Sequence, residues 1–513
     1  MTRPLLRCLV LVIAALAGAC AQLPPRPELP LEHAIIEGSG GPLDDLIAPL
    51  ETRNPGKSGF RLLEEGPEAF VTRAGSARLA TRTLDVQTYI WHGDTTGLHL
   101  AAKLLEAADR GVRVRLLVDD MNGRSGNVAF AALAAHENIA VRMFNPFASR
   151  KGKLAFFGEG ARSFRRINHR MHNKSWIADN RIAVVGGRNL GDEYFGASDE
   201  VNFVDLDFVM IGPVVRDASA SFDRYWNCEA AFPMEVLDAA GVNAGALQRL
   251  RAYLAKAADE AAVHHYTEKL RSDDTVRDLV AGRLPMQWAS NYSFASDDPL
   301  KALMDENDLA RSQVIAILDP TMRAAREDIL IISPYFVPGE AGARALLSAA
   351  ASGRRVRILT NSLSANDVAA VHGGYSRYRH RLLEGGVQIW ELKPLGGGEQ
   401  DSSIFGSSGA SLHTKAFAAD EKTAFVGSYN LDPRSTLLNC EQGVLVEDET
   451  ITKQLVHIFE RQAAPERAWK VSSVNGDLSW TDGKNTFDSD PEASMGRKFQ
   501  AWFARFFHLD AHL

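Results

Sequence analysis

The chain has 513 residues, of which 45% are hydrophobic and 24% are charged, and its formal net charge is −7. This composition is typical of a globular protein and excludes a disordered chain or one with many membrane spans. Because 513 residues exceed one ordinary core, two domains plus additional segments are expected. The acidic balance becomes about −9 without residues 1–19. It disfavours nucleic acid as a partner, since nucleic-acid-binding surfaces are basic.

The first twenty residues have the pattern of a secretory signal. Arg3 and Arg7 precede a short apolar run that ends in Ala17-Gly18-Ala19-Cys20. A basic start, a short apolar core and a small-residue end mark an export signal. Small residues directly before Cys20 resemble a lipoprotein cleavage box, although Ala17 is smaller than the aliphatic residue usual there. The alternatives are an ordinary cleaved signal or one uncleaved span. We expect a protein of the bacterial cell envelope, lipid-anchored through Cys20 and facing the periplasm.

Three further segments follow the leader, residues 1–20. Residues 21–57 contain a cluster of four prolines between positions 24 and 30, and four residues of mostly glycine at 38–41. This composition predicts a flexible stalk. We divide the remaining chain into a first domain, residues 58–282, and a second domain, residues 283–513.

The two domains repeat one order of predicted elements. In the first domain these are a strand at Leu84–Trp91, a helix at Leu98–Arg110, and strands at Val112–Asp120 and Ala140–Phe144. In the second they are a strand at Ile329–Val337, a helix at Ala341–Ser352, and strands at Arg355–Asn361 and Val387–Leu392. Strands that alternate with helices predict an α/β fold with a mixed sheet in each half. Helical residues from about 237 to 271 are expected to bridge the halves.

An eighteen-residue pattern occurs twice, 241 positions apart. Each copy has a histidine, a lysine, an aspartate and an asparagine at the same offsets: His172, Lys174, Asp179 and Asn189, then His413, Lys415, Asp420 and Asn430. A given histidine begins H-x-K-x4-D by chance roughly a few times in a thousand. Gly111 and Gly353, each placed to end a predicted helix, are 242 apart. The chain is therefore duplicated, and the repeated residues indicate one shared phosphate-handling site.

The repeated residue types fit phosphodiester chemistry without a metal. One neutral imidazole can attack phosphorus while a second, protonated imidazole supplies a proton to the leaving alcohol. Lysine and amide side chains can bind the phosphoryl oxygens as charge spreads over them. The sequence has no C-x-x-C or Cys/His metal spacing and no G-x-x-x-x-G-K-S/T nucleotide loop. No cofactor and no metal are expected.

H-x-K-x4-D followed by G-G/S-x-N, in duplicate, resembles the phospholipase D superfamily. The surrounding segments Tyr89–His92 and Val114–Asp120 are similar to the bacterial cardiolipin synthase branch, most of all its C-type members. The resemblance covers roughly residues 58–513. It implies two tandem phospholipase D-like α-β-α sandwich domains with mixed sheets, related by a pseudo-twofold axis and sharing one active site.

The same resemblance implies a reaction. A phosphohistidine intermediate would form, and a phosphatidyl group would pass from a donor phospholipid, with phosphatidylethanolamine one candidate, to phosphatidylglycerol at a membrane surface. By this resemblance His172 would be the nucleophile and His413 the general acid and then base, while the symmetry of the two motifs alone also allows the reverse order. Phosphoryl binding would fall to Lys174, Lys415, Asn189 and Asn430.

An acidic residue downstream of each motif would orient a histidine. Glu441 matches this position well, and Asp205 matches the spacing better than Asp207. The motif aspartates Asp179 and Asp420 are counted with the catalytic motif, with anchoring of the motif hairpins as their alternative role.

Other functions and roles remain open. A phospholipase D hydrolase would use the same residues with water as acceptor. The acidic balance disfavours a nuclease, and two intact motifs disfavour a non-enzymatic scaffold. Cys228 and Cys440 are either a disulfide or, preferably, two unpaired thiols.

Two segments are candidates for contact with lipid. A basic, aromatic segment over 150–170 is either a solvated loop or a surface for anionic lipid, and its His169 is expected to be solvated or to face headgroups. At the C-terminus, five aromatic residues have helical spacing: Phe499, Trp502, Phe503, Phe506 and Phe507. They predict an amphipathic helix that packs on the second domain or lies in a membrane interface.

Overall fold

The computed structural model describes residues 23–36, 40–123, 127–148, 164–259, 266–268, 270, 285–303, 312–366, 368–394 and 412–506. The expected leader, residues 1–20 with Cys20, lies outside this part of the chain.

The first half is built on a nine-stranded mixed sheet. Its strands are β1 (Ser58–Leu63), β2 (Thr83–Thr88), β3 (Arg113–Asp119), β4 (Ile139–Phe144), β5 (Ser175–Ala178), β6 (Ile182–Gly186), β7 (Asp207–Ile211), β8 (Ala231–Pro233) and β9 (Gln287–Ala289). Their order across the sheet is β8-β4-β3-β2-β5-β6-β7-β1-β9. The neighbours β2, β3 and β4 run parallel. The helices are α1 (Pro42–Arg53), α2 (Gly66–Leu79), α3 (Thr95–Asp109), α4 (Asp120–Gly123), α5 (Asn127–Ala134), α6 (Phe164–Asn168), α7 (Asp192–Phe195), α8 (Val214–Asn227), α9 (Met234–Leu237) and α10 (Ala244–Ala258).

The second half is built on a ten-stranded mixed sheet. Its strands are β10 (Tyr292–Ser296), β11 (Asp328–Ile332), β12 (Arg355–Asn361), β13 (Gln388–Leu392), β14 (Ala416–Ala419), β15 (Thr423–Gly427), β16 (Gln442–Glu447), β17 (Ala468–Val474), β18 (Asp477–Thr481) and β19 (Thr486–Phe487). Their order is β10-β16-β15-β14-β11-β12-β13-β17-β18-β19. A 3₁₀ helix spans Pro299–Leu303, and the α-helices are α11 (Gln313–Ala324), α12 (Gly339–Ala351), α13 (Ala369–Glu384), α14 (Pro433–Leu437), α15 (Glu449–Gln462) and α16 (Met495–Phe506).

The two sheets have the same topology. The order β8-β4-β3-β2-β5-β6-β7-β1 corresponds strand by strand to β17-β13-β12-β11-β14-β15-β16-β10. In each sheet three parallel strands are followed by the antiparallel hairpin that carries the motif. Gly111 and Gly353 have φ of 90° and 88°, the left-handed conformation expected where they end α3 and α12. The predicted α/β fold with a mixed sheet in each of two repeated domains is confirmed.

Two predicted strands are too long, because the chain leaves each sheet early. After β2, the hydroxyl of Thr88 donates to the carbonyl of Ile90 at 2.8 Å. After β11, the hydroxyl of Ser333 donates to the carbonyl of Tyr335 at 2.6 Å. These local bonds turn the backbone out of the sheet at matching positions. The apolar residues that follow are buried without belonging to a strand.

The two halves share a hydrophobic core. One cluster of buried side chains combines residues of the first sheet, such as Ile177 and Phe208, with residues of the second, such as Ala416 and Val444. Separate clusters lie on the outer faces of the two sheets. The hairpins that follow both motifs therefore pack against each other across this shared core.

The expected flexible stalk is wrong for most of residues 21–57. Arg26 Nε donates to the carbonyl of Ala231 at 2.9 Å, and the Ala34 amide donates to Asp223 Oδ2 at 2.8 Å. Helix α1 buries Leu43 and Ile47 in the core of the first domain. The described residues 23–36 form no helix or strand, and side chains of the first domain bond to the backbone of Glu32 and Ala34 within them.

The boundary between the domains also differs from its expected position. Strand β9 pairs with β1 of the first sheet, and β10 opens the second sheet only three residues after β9 ends. The first sheet therefore extends past residue 282. Helix α10, expected to bridge the halves, instead buries Leu250 and Leu254 in the core cluster of the first domain. Cys228 and Cys440 are both buried free thiols, as preferred.

Candidate active site

Each motif histidine is bound through its backbone to the opposite half of the chain. The His172 amide donates to the Cys440 carbonyl at 2.8 Å, next to a parallel bridge between Met171 and Cys440. The His413 amide donates to the Val204 carbonyl at 2.8 Å. Cys440 and Val204 directly precede the two candidate orienting acids. Backbone bonds therefore bring each motif to the acid of the other half.

The side chains complete this exchange. His172 Nδ1 lies 3.0 Å from Glu441 Oε2 and 3.0 Å from the Ser428 carbonyl. His413 Nδ1 lies 2.6 Å from Asp205 Oδ2. Since these partners are acceptors, each Nδ1 carries the proton and each Nε2 keeps its lone pair. The structure thus pairs both histidines with the expected acids, and it selects Asp205 over Asp207.

Aromatic rings contact both imidazoles. Tyr89 makes an edge-to-face contact with His172, with ring centroids 5.2 Å apart. His413 is stacked on Phe203 at 5.7 Å and meets Tyr194 edge-on at 5.2 Å. Such walls lower the local dielectric constant and strengthen electrostatic interactions at the site.

The motif lysines are buried beside the histidines. The side chains of Lys174 and Lys415 each donate to the carbonyl of their own motif histidine. Burial lowers the pKa of Lys174 well below its usual value, and the charge of Lys415 lowers it further. Gln442 crosses from the second half and donates to the Lys174 carbonyl at 2.7 Å. The two lysines are close enough to repel each other, and an anion between them would relieve that repulsion.

Burial also controls the charge of the histidines. It lowers the pKa of His172 to about 4, against the opposing attraction of Glu441. Burial and the nearby Lys415 hold the pKa of His413 well below its usual value. Burial opposes ionisation of Glu441, yet the interactions with His172 and Lys174 leave its pKa lowered. Both imidazoles are therefore neutral near pH 7, and a bound anion would favour protonation of either one.

The two asparagines of the repeat are not equivalent. Asn189 Oδ1 accepts from the Ile90 amide at 3.2 Å, and its Nδ2 donates to the Tyr194 hydroxyl at 3.0 Å. Asn430 Oδ1 is buried with no hydrogen-bond partner among the described residues. Asn189 therefore supports the wall around His413, while the Asn430 amide can turn its NH₂ group toward a phosphoryl oxygen.

The motif aspartates lie outside the site, so their inclusion with the catalytic residues is not supported. Asp179 Oδ1 accepts from the amides of Arg82 and Thr83 at 2.7 and 2.9 Å. Asp420 Oδ1 accepts from the amides of Glu327 and Asp328 at 2.8 and 3.0 Å. Each follows a four-residue strand that begins after the motif lysine, and four strand residues span about 13 Å. They anchor the far ends of the hairpins, which was their alternative role.

One matching pair of supporting residues was missed in the sequence. Asp119 ends β3, and its Oδ2 accepts from the Met171 amide at 2.8 Å. Asn361 ends β12, donates to the Leu412 carbonyl at 3.0 Å and accepts from the Leu412 amide at 3.1 Å. Met171 and Leu412 directly precede the motif histidines. The spacing of Asp119 and Asn361, 242 residues, equals that of the paired glycines and could have identified them.

Gly187 and Ser428 occupy the same place in the repeat and have different roles. A Cβ at Gly187 would lie 2.2 Å from Asp205 Oδ1, so only glycine leaves room for this carboxylate. The Ser428 hydroxyl donates to Glu441 Oε2 and accepts from the Gln442 amide at 3.0 Å. Glu441, which holds His172, thus receives an additional hydrogen bond from Ser428. Asp205, which holds His413, has glycine at the matching position and receives no such bond there.

His169 is not solvated, contrary to expectation. Its side chain is 3% exposed, and its carbonyl accepts from Asn145 Nδ2 at 2.8 Å. The neighbouring Arg170 is 1% exposed and pairs with Asp119 at 3.2 Å. Both residues therefore belong to the buried segment that leads to His172. The remaining basic segment, residues 149–163, lies outside the described residues.

Comparisons with known proteins identify the family and the fold. The family model for the cardiolipin synthase PLD-like domain matches residues 76–226 and 318–463. Cardiolipin synthase C of Escherichia coli is 43% identical over 449 residues, covering 86% of this chain and 92% of that protein. An uncharacterised protein of Helicobacter pylori is 33% identical over 423 residues, 81% of each chain. The crystal structure of a phosphatidylserine synthase from Haemophilus influenzae superimposes with a TM-score of 0.56 at 12% identity, covering 91% of this chain and all of that one.

The duplicated sheets and the shared histidine–lysine site define a phospholipase D-like protein. Both halves match the family model, and identity to one relative is 43% over most of both chains. The chain belongs to the cardiolipin synthase family, and the resemblance inferred from the sequence is confirmed.

Proposed function

We propose that this chain is a phosphatidyltransferase that forms cardiolipin by transferring a phosphatidyl group to phosphatidylglycerol. The observation that carries this proposal is the crossed pairing of two neutral histidines with two acids, His172 with Glu441 and His413 with Asp205. The pairing leaves the Nε2 lone pairs of both imidazoles available in one buried site. Membership of the cardiolipin synthase family supports the choice of phospholipids as substrates.

In the first step, His172 Nε2 attacks the phosphorus of the donor lipid, and the bond from phosphorus to the leaving alcohol breaks. Two acceptors on Nδ1 keep the nucleophilic lone pair on Nε2. The bound phosphodiester anion raises the pKa of His413, which takes up a proton from solvent at Nε2 and then gives that proton to the leaving oxygen. Lys174, Lys415 and Asn430 bind the phosphoryl oxygens as negative charge moves onto them.

In the second step, His413 Nε2 takes the proton from a hydroxyl of phosphatidylglycerol. The resulting oxygen attacks phosphorus, the phosphorus–nitrogen bond breaks, and His172 returns to its starting form. One phosphodiester replaces another, so no nucleotide is consumed. The rings of Phe203 and Tyr194 beside His413 favour a lipid alcohol over water as the acceptor.

The test is to incubate the purified protein with labelled phosphatidylglycerol, with and without phosphatidylethanolamine, and to identify the products by mass spectrometry. Cardiolipin is expected. Phosphatidic acid without cardiolipin would instead assign the chain as a hydrolase. His172→Ala and His413→Ala should abolish product formation, while His457→Ala, at an exposed position on α15, should leave it unchanged. Activity that persists in either catalytic variant would overturn the proposed mechanism.

We also propose that the protein is attached to the bacterial cell envelope through a lipid on Cys20, facing the periplasm. The basic start, the apolar run and the small residues before Cys20 support this. Labelled palmitate should be incorporated by the wild type and not by Cys20→Ala. Incorporation by both would rule out Cys20 as the lipidated residue.

A further inference from the structure

Helix α16 exposes its aromatic side chains instead of burying them. Five large apolar residues, Met495, Phe499, Trp502, Phe503 and Phe506, have exposed fractions of 81%, 62%, 56%, 43% and 63%. The rings of Phe499 and Trp502 lie 5.9 Å apart, and those of Trp502 and Phe506 are stacked at 5.7 Å. These five residues form one continuous stripe, which we call the aromatic face.

The opposite side of α16 packs on the second domain. Ala501 and Ala504 are buried against α13, where a Cβ at Gly373 would lie 2.4 Å from the Ala501 carbonyl. Arg497 is 4% exposed. A helix on a globular protein ordinarily buries its apolar stripe and exposes its polar residues. Here small residues and one arginine are buried, so packing on the second domain does not account for the aromatic residues.

The aromatic face is connected to the active-site edge of the second sheet. Arg497 Nη1 donates to the carbonyls of Leu363 and Asn366, at 3.1 and 2.6 Å, in the loop that follows β12. Asn361, the last residue of β12, is bonded to the backbone of Leu412, which precedes His413. The helix is thus fixed to the edge of the sheet at which His413 is held.

The charge of α16 is suited to an anionic surface. Between Met495 and Phe506 no acidic residue occurs. Arg497 is buried, so the half-buried Lys498 and the exposed Arg505 are the cations open to such a surface. This is a local excess of positive charge in a chain whose net charge is −7. Phenylalanine and tryptophan favour the interface of a bilayer, and nearby cations are attracted to anionic headgroups.

We propose that the aromatic face inserts into the interfacial layer of an anionic phospholipid bilayer and turns the catalytic site toward the headgroups. Within the described part of the chain, no helix has the length and apolarity needed to cross a membrane. An interfacial helix would hold the body of the protein on the bilayer regardless of how the N-terminus is attached. The proposed membrane contact rests on α16 itself. Only the identity of the lipid that enters the catalytic site rests on the proposed function.

Quenching of Trp502 tests the insertion directly. The full-length protein is added to vesicles of phosphatidylglycerol and phosphatidylcholine whose phosphatidylcholine carries bromine on its acyl chains. The chain has 8 tryptophans, and four of them, Trp176, Trp226, Trp469 and Trp480, are fully buried and shielded from lipid. Quenching is expected to be about twofold greater in the wild type than in Trp502→Phe. Equal quenching in the two proteins would overturn the proposal.

Activity on two forms of substrate provides the second test. The triple variant Phe499→Ser, Trp502→Ser, Phe506→Ser should form product from vesicles about tenfold more slowly, and from detergent-dispersed lipid at the wild-type rate. The matched control replaces Leu31, Val128 and Tyr253 by serine, which are 73%, 78% and 54% exposed elsewhere. It should behave as the wild type on both substrates.

The outcomes separate this proposal from the proposed function. Quenched Trp502 in a protein that forms no cardiolipin would retain the membrane surface and reject the transferase assignment. Equal rates for the triple variant and the control on vesicles would reject the membrane surface alone. A third outcome is that Trp502 is not quenched and that the protein self-associates in sedimentation, while the triple variant does not. This outcome would assign the aromatic face to a second copy of the chain and overturn the proposal.

Discussion

Glu441, in the second half of the chain, holds Nδ1 of His172, in the first half, at 3.0 Å. The reciprocal contact joins Asp205 to His413. Each half therefore supplies one histidine and the acid for the other half's histidine. Neither half contains a complete pair, so the site exists only when the two domains are docked through their shared core.

The contact between Glu441 and His172 predicts a large effect of Glu441→Gln. The amide cannot balance the charge that develops on His172, and it can present a donor to Nδ1, which would stabilise the wrong tautomer. We expect kcat to fall about 10³-fold with little change in KM, measured for cardiolipin formation. The control is Glu447→Gln, an exposed residue at the end of β16, the strand that begins directly after Glu441. A loss below about threefold would contradict the role of Glu441.

Much of this arrangement could be predicted from the sequence, because it is local. The repeated motifs, the parallel strands and the two capping glycines all follow from spacing within short segments. The crossing of the acids could not be predicted, since it depends on how two sheets pack. The ordered segment before β1 was missed for a similar reason: Arg26 and Ala34 are bonded to residues about 200 positions away. The C-terminal helix was predicted, but its spacing could not reveal which side is buried.

The space at Gly187 predicts a specific effect of Gly187→Ala. A Cβ there would lie 2.2 Å from Asp205 Oδ1 and 2.9 Å from its Cγ. The carboxylate must move, and His413 then loses its 2.6 Å contact while the pair of His172 and Glu441 remains intact. We expect kcat to fall about 10²-fold or more.

The matched control for this variant is Gly75→Ala. A Cβ at Gly75 meets no atom within 4 Å, so activity should be unchanged. Thermal unfolding of both variants separates misfolding from displacement of Asp205. A Gly187→Ala protein with the kcat of the wild type would show that His413 does not need this contact.

The contacts of the motif aspartates predict that replacing them lowers the free energy of unfolding and leaves kcat nearly unchanged. Asp179→Ala removes the acceptor for the backbone amides of Thr81, Arg82 and Thr83. Leaving such amides unpaired should lower the free energy of unfolding by about 2–4 kcal/mol. The kcat of the folded protein should stay within about threefold of the wild type. Urea unfolding and assays at low temperature measure the two quantities, with Asp199→Ala at an exposed loop position as control. A kcat reduced about 10³-fold in a fully folded Asp179→Ala protein would return this residue to the catalytic group.

The lowered pKa of His172 predicts how stability depends on pH. Its pKa is about 4 in the folded protein against an ordinary value of 6.5. Above pH 6.5 the imidazole is neutral in both states and contributes no pH dependence. As the pH falls from 6.5 toward 4, the unfolded chain binds a proton that the folded protein does not, so the free energy of unfolding decreases. The full loss, reached below about pH 4, is about 3 kcal/mol.

His413, whose pKa is also lowered by burial, should add to the same slope. Urea unfolding between about pH 7 and pH 5 measures this slope. Burial raises the pKa of Asp94 to about 6 and that of Asp432 to about 7, so both carboxyls contribute to the slope of every variant and the difference between variants reports the histidine. Replacing His172 by glutamine removes one titrating group, so stability should fall less steeply with acid than in the wild type. His457→Gln, at an exposed position, serves as the control and should retain the wild-type slope. Equal slopes for the wild type and His172→Gln would mean that His172 is not held neutral by its burial between the two domains.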